Sequence, residues 1–289
     1  MYYVDLAVQG VVEGSMYALM ALGLTLIYGF LRILHVAHAT VFTLGAYLGV
    51  VVSNATGSLI LGAVAALAGG SLAGIACLRL VYAPILDQPP LVPLIASVGL
   101  LIMMEDVFRL VFGNVGISFV ANPFSALSIS LGPLTVGVLQ IAMVVAATAT
   151  FSAFAVFTTF TRAGVTWRAA LANPRMAESF GVDVARVRYV NFAFGSALAG
   201  AAGMLIALNN NFAEPGMGTV VSYKALAVIV LGGLGSMGGA LVGSVLLGLA
   251  ESYGTVFLEG VLDRDAIAAL CLIAVLVLRP KGLGAGAGS

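Results

Sequence analysis

The sequence predicts an all-α protein, a polytopic transmembrane bundle of about eight or nine membrane segments, and three observations predict it. Of the 289 residues, 61% are hydrophobic and only 8% are charged, against roughly 25% charged in an ordinary globular chain. Mean hydropathy is +1.13. Residues 14–31, 88–104, 110–161, 189–213 and 225–250 contain no Asp, Glu, Lys or Arg, and a bilayer span needs about 20 apolar residues. The chain reads as a single transmembrane domain, 1–289, carrying one hydrophilic loop at 161–188.

Taken in order, apolar runs bounded by turn residues predict spans near 6–29, 36–53, 58–79, 93–112, 134–158, 189–209 and 262–279. The segment before the first span lacks the basic leader of a secretory signal, so that span is expected to be retained. The stretch 220–258 is long enough for two crossings, or for a re-entrant pair broken at Gly232-Gly-Leu-Gly-Ser-Met-Gly-Gly239. Either choice keeps the same parity.

Basic residues orient the bundle, because cytoplasmic loops carry an excess of Lys and Arg. An external N-terminus puts Arg32, Arg79, Arg162, Arg168, Arg175, Arg186, Arg188, Arg279 and Lys281 inside, with Arg109, Lys224 and Arg264 at or near the outer face. The C-terminus is then cytoplasmic. Helices in lipid associate by close backbone approach, and small residues recur every fourth position at Gly195, Ala199 and Gly203, and again at Gly232, Ser236, Ala240, Ser244 and Gly248. Gly-interrupted apolar segments are also where transporter helices break and expose backbone to a cavity. Gly232, Gly233, Gly235 and Ser236 are therefore candidate pathway residues.

The loop 161–188 has its own pattern, with five Arg against Glu178 and Asp183. Asn173 can cap a short helix beginning at Pro174, and Gly181 can supply its left-handed stop. Met176 and Phe180 fall on one face at a spacing of four. Residues 166–172 form a second short helix, and Asp183 caps the next span. Two short amphipathic helices on one membrane surface, without catalytic residues, predict a docking element for a soluble partner.

Several classes are excluded or unsupported. Twelve basic and twelve acidic residues leave no net charge, so nothing suggests a nucleic-acid surface or a polybasic lipid-binding tail. Cys77 and Cys271 sit in apolar runs and read as small hydrophobes. Neither Lys224 nor Lys281 follows the glycine pattern of a phosphate-binding loop. No paired nucleophile and base or metal cluster is visible, so no enzyme is predicted. His35 and His38 have no Cys or carboxylate at ligand spacing.

Six pieces taken together resemble a known family. They are Tyr17-Ala-Leu-Met-Ala-Leu-Gly-Leu-Thr-Leu-Ile-Tyr-Gly29, Gly45-Ala-Tyr47, Pro93-Leu-Ile-Ala-Ser-Val-Gly99, the loop from Arg168-Ala-Ala-Leu-Ala-Asn-Pro174 through Gly181, Leu231-Gly-Gly-Leu-Gly-Ser236 and Arg279-Pro-Lys-Gly282. In that order they resemble the permease subunits of branched-chain amino-acid ABC importers, of the LivH type.

The resemblance implies a pore half that pairs with a second, LivM-like permease, two cytoplasmic ATPase subunits and an external solute-binding protein. It places ATP and Mg on the ATPases, with no cofactor on this chain, and puts the chain in a bacterial or archaeal inner membrane. It implies uptake of branched-chain or other amino acids, or of related solutes such as urea, amides or aromatic acids. The ATPase-contacting region corresponds to Arg168, Ala169, Ala170, Asn173, Pro174, Met176, Ala177, Glu178, Phe180 and Gly181.

Departures from the family pattern add candidates. Members usually carry Asn where this chain has His35 and Gly where it has Ala39, while His38 matches. Glu13, Glu105 and Asp106 are acids where apolar or neutral residues are expected. Intramembrane acids are functional candidates by default, so Glu105 joins His38 on the candidate pathway. A structural pair of Glu105 with Arg109, one helical turn on, is the alternative. The competing function is a stand-alone channel or ion-coupled carrier, which would transport without an ATPase.

Overall fold

The first apolar run needs no partner to be a helix, and in the computed structural model it is α1 (Tyr2–Leu31). Its 30 residues span about 45 Å at 1.5 Å per residue, enough to cross with tilt. The structure describes residues 2–120, 122–124, 127–131, 134–258, 262–278 and 282. Arg279, Pro280 and Lys281 of the C-terminal motif lie outside them.

The following elements are α2 (His38–Thr56), α3 (Leu59–Cys77), α4 (Leu91–Phe112), α5 (Val138–Phe160), α6 (Arg162–Ala172), α7 (Pro174–Ser179), α8 (Val184–Asn210), α9 (Met217–Gly232), α10 (Met237–Phe257) and α11 (Arg264–Leu278). Seven helices among the described residues are long and apolar enough to cross a bilayer: α1, α2, α3 with its extension to Ile85, α4, α5, α8 and α10. The fold is the polytopic helical bundle that the sequence predicts.

Among the described residues, four short strands are the exception to its helical character: β1 (Ile117–Ser118), β2 (Ser128–Leu131), β3 (Leu134–Gly137) and β4 (Phe212–Ala213). β2 pairs antiparallel with β3, and β1 with β4. The span expected from residue 134 therefore starts at Val138. Apolarity cannot separate a four-residue strand from the first turn of a helix, and β-branched Ile129, Thr135 and Val136 suit the extended form. One helix instead begins earlier than expected, α6 at Arg162, not 166, because Thr161 caps it, whereas α8 starts at Val184, directly after its expected cap Asp183.

Close approach sets the packing. The Ser252 hydroxyl donates to the Leu6 carbonyl at 2.7 Å, and Gly10 and Gly14 of α1 lie against Leu249 and Ser244 of α10, so these helices run antiparallel. Gly23 of α1 meets Gly195 of α8, and Gly203 meets the Phe42 carbonyl of α2. α1, α2 and α8 thus form the centre. The outer helices α3, α4 and α5 leave Ile60, Leu72, Leu110 and Val145 exposed, which suits lipid or another subunit.

The 220–258 region forms a helical hairpin. Gly232 of α9 faces Gly239 of α10, and the Val228 carbonyl faces Gly243. α9 has 16 residues, about 24 Å, short of the ~30 Å hydrocarbon core. α11 starts beside Glu13 of α1, and beyond its end Gly282 rests on Gly233. Met237 packs in the cluster of Leu26 and Trp167, so Gly282 and α6 occupy the same end of the bundle.

Candidate functional site

Three short-range hydrogen bonds build the loop at 161–188. Thr161, Asn173 and Asp183 accept the N–H groups of Gly164, Met176 and Arg186 at 2.9, 3.0 and 2.9 Å. Each cap satisfies a donor that a helix N-terminus leaves free, so the loop is a chain of fixed helices. Gly181, at φ +83°, turns the backbone between α7 and α8 in a region that L side chains rarely adopt.

One side of this loop is buried. Ala170 and Ala177 pack with Val184 and Phe30, so these two predicted partner contacts instead face the bundle, because a short amphipathic loop must bury a face to stay docked. Arg168, Ala169, Asn173, Pro174, Glu178 and Gly181 are exposed. Met176 and Phe180, at 59% and 81% exposure, present apolar surface away from the bundle, the composition of a contact face with Met, an aromatic and Arg.

The same loop is wired to the centre. Trp167 donates through Nε1 to Asn191 Oδ1 at 3.0 Å, and Asn191 donates through Nδ2 to the Leu26 carbonyl at 2.8 Å. One buried amide therefore joins α6, α8 and α1. The bonds tie α6 to two central helices.

A second polar centre lies inside the bundle. Lys224 Nζ of α9 stands 3.1 Å from Glu251 Oε1 of α10, 3.2 Å from Asp265 Oδ1 of α11 and 3.2 Å from the Tyr17 hydroxyl of α1. Tyr17 donates to Glu251 Oε2 at 2.7 Å. The Lys224 and Glu251 side chains are 5% and 0% exposed. Lys224, expected outside or near the outer face, is a charge buried between helices, and Glu251 was not anticipated. Beside them Glu13 pairs with Arg264. Four helices are held by charges that are costly to bury and costlier to leave alone.

The glycine break supplies the register. Gly233 and Gly235 have φ of +96° and +84°, and Ser236 caps α10 by accepting from Gly239 N at 3.1 Å. A side-chain carbon at Gly232 or Gly239 would fall on the other's backbone. With Val228 opposite Gly243, Lys224 falls level with Leu247, one turn from Glu251.

A family model described as branched-chain amino acid transport system / permease component matches residues 6–278. The chain belongs to this family. It is a transmembrane permease subunit. It is 29% identical to the high-affinity branched-chain amino acid transport system permease protein LivH of Escherichia coli (strain K12), over 98% of this chain and 96% of the relative. BraD of Pseudomonas aeruginosa is also 29% identical, over 98% and 95%. LivM of Salmonella typhimurium is 28% identical over 42% of this chain and 28% of its own length. No solved structure matches significantly.

The other expected residues of the permease lie apart. Glu105 is 2.6 Å from Arg109, whose second nitrogen meets Asp106 at 3.0 Å; Glu105 also accepts from Thr219 at 3.3 Å, at the start of α9. The Gly232–Ser236 break is at the far end of that helix, about 24 Å along. His38 is buried against Gly23. His35 shares a 2.6 Å hydrogen bond with the Tyr82 hydroxyl, on a π-turn (Leu78–Tyr82). Burial, and then the neighbouring His38, holds the His35 imidazole well below its usual pKa. Glu105 and the break thus stand at opposite ends of α9.

The residues that sequence reasoning missed left a faint signal. Lys224 and Glu251 are the charges that bound the run 225–250, and folding that run at its glycines brings its two ends together. Trp167 and Asn191 carry no local signature.

Proposed function

We propose that this permease forms one half of the translocation pore of an ATP-binding-cassette importer, the whole chain 1–289 acting as one transmembrane domain. A second, LivM-like permease completes the pore. Two ATPase subunits, which carry ATP and Mg, dock on the exposed face of residues 161–188, and an external binding protein delivers the solute. The loop and the C-terminus face the cytoplasm, in line with the arginine distribution. LivH and BraD are named for branched-chain amino acid transport, and the solute here is of that class: a branched-chain or other amino acid, or a related small amide, urea or aromatic acid.

One observation supports this reading above the others. The apolar pair Met176 and Phe180 stands exposed on a capped loop whose Trp167–Asn191–Leu26 bonds reach the central helices. A surface so placed can receive a push and deliver it to α1 and α8, whereas a mere connector would need neither caps nor a buried amide.

The test is ATP-dependent leucine uptake in liposomes holding the assembled importer. Arg168→Glu is expected to lower uptake about tenfold, the effect of ~1.4 kcal/mol at a charged interface, while ATP hydrolysis persists. Equal leucine transport by this chain alone, without ATPases, would overturn the proposal in favour of a channel or carrier. A ligand screen of the binding protein assigns the solute.

A further inference from the structure

Between α5 and α8, at the end of the bundle covered by α6, lies an open groove of about 810 Å³. Its walls are Ala153, Phe154 and Phe157 of α5, Trp167 of α6, and Val190 and Phe194 of α8. The uncharged polar groups in these walls are already used. Asn191 bonds Trp167 and Leu26, and the hydroxyls of Thr150 and Thr166 return to the carbonyls of Ala146 and Arg162 at 2.7 and 3.0 Å. A small zwitterionic solute would find only Arg186 at one end to replace its water. An apolar chain needs no such replacement.

One lining residue is charged. Arg186 stands at the α6 end of the groove, and among the described residues its guanidinium makes no ion pair. The five arginines of 161–188, against Glu178 and Asp183, leave this end positive. From Arg186 to Leu198, the far lining residue on α8, the helix rises about 18 Å. That is close to half of a ~30 Å hydrocarbon core. The groove is therefore about one leaflet deep, apolar along its length and positive at its mouth, and basic pockets between membrane helices suit anionic headgroups.

We propose that the groove binds one acyl chain of an anionic phospholipid from the leaflet on the α6 side, with the phosphate on Arg186. The chain lies along Phe154 and Phe194, and the lipid wedges α5 from α8 beside the Trp167–Asn191 link. The site is independent of which solute the permease moves.

Trp167 is the single tryptophan of the chain and is 8% exposed, so a quencher on a lipid chain reaches its ring closely by entering the groove. The full chain is reconstituted in vesicles of phosphatidylcholine with a minor fraction of phosphatidylglycerol, with brominated chains on one lipid or the other. Brominated phosphatidylglycerol is expected to quench Trp167 at a several-fold lower mole fraction than brominated phosphatidylcholine. Arg186→Gln should equalise the two, and Ala153→Phe, which fills the groove, should weaken quenching by both.

Equal quenching by the two lipids in the unaltered chain overturns the proposal, and that comparison needs no variant to fold. An unchanged lipid preference in folded Arg186→Gln also overturns it. So does a cysteine placed at Val190 that cross-links to the second permease in the assembled importer, since that subunit would then occupy the groove.

Discussion

Removing Lys224 should damage the bundle more than removing Glu251, and removing both should damage it least. The pair is 5% and 0% exposed and lies 3.1 Å apart. Lys224→Met leaves the Glu251 carboxylate with only the Tyr17 hydroxyl as a partner, and an uncompensated buried charge costs about 3–5 kcal/mol. At about 1.4 kcal/mol per tenfold, that is roughly two to three and a half orders of magnitude in the folding equilibrium. Glu251→Leu is milder, about 1–3 kcal/mol, because Lys224 keeps Asp265, at 3.2 Å and half-exposed. In the double variant no buried charge is stranded, and apolar replacement of a buried pair is often neutral or stabilising. Denaturation of the full chain in mixed micelles measures all three. The reasoning is refuted if the double variant is no more stable than Lys224→Met, or if both single variants shift stability by less than about 1 kcal/mol, the range of an exposed pair.

Four further outcomes follow from the geometry. Asn191→Leu strands the Trp167 N–H and should cost about 1–3 kcal/mol while lowering solute moved per ATP hydrolysed; Met176→Ala, at an exposed position, should stay within about 0.5 kcal/mol yet weaken ATPase association in pull-down. Gly239→Ala drives a carbon onto the Gly232 carbonyl and should destabilise by about 1–3 kcal/mol, read as a lower thermal midpoint; no change would mean the α9–α10 contact is looser than described. The depressed pKa of His35, faced by His38 and Tyr82, makes stability complete above the ~6.5 of an unfolded imidazole and diminishing as pH falls below it. His35→Asn should lessen the fall of the thermal midpoint between pH 7 and pH 5, and an unaltered slope would place the titration elsewhere.

Much of the loop was legible because its determinants are local. Asn173 and Asp183 cap helices through atoms three residues away, and Gly181 needs only its own backbone freedom. Its division into an exposed and a buried face was not legible. Ala169 and Ala170 look alike in sequence, yet Ala170 is covered by Phe30 and Val184, and only the docking of the loop on the bundle tells them apart. The strands at 128–131 and 134–137 escaped for a different reason: hydropathy averaged over a span-length window is blind to a four-residue change of conformation.

By itself, then, the sequence determined that the chain lives in a membrane, where its helices lie within a few residues, and how the loop is capped, because apolar length and caps act over one or a few turns. The tertiary structure decided what the charges do. Lys224 and Glu251 are 27 residues apart, and Tyr17 and Glu251 are 234 apart; their meeting depends on the glycine-set register of α9 on α10 and of α10 on α1. The Trp167–Asn191 link and the groove beside it are likewise products of how far α5 and α8 diverge, a distance that depends on every helix packed between and beneath them.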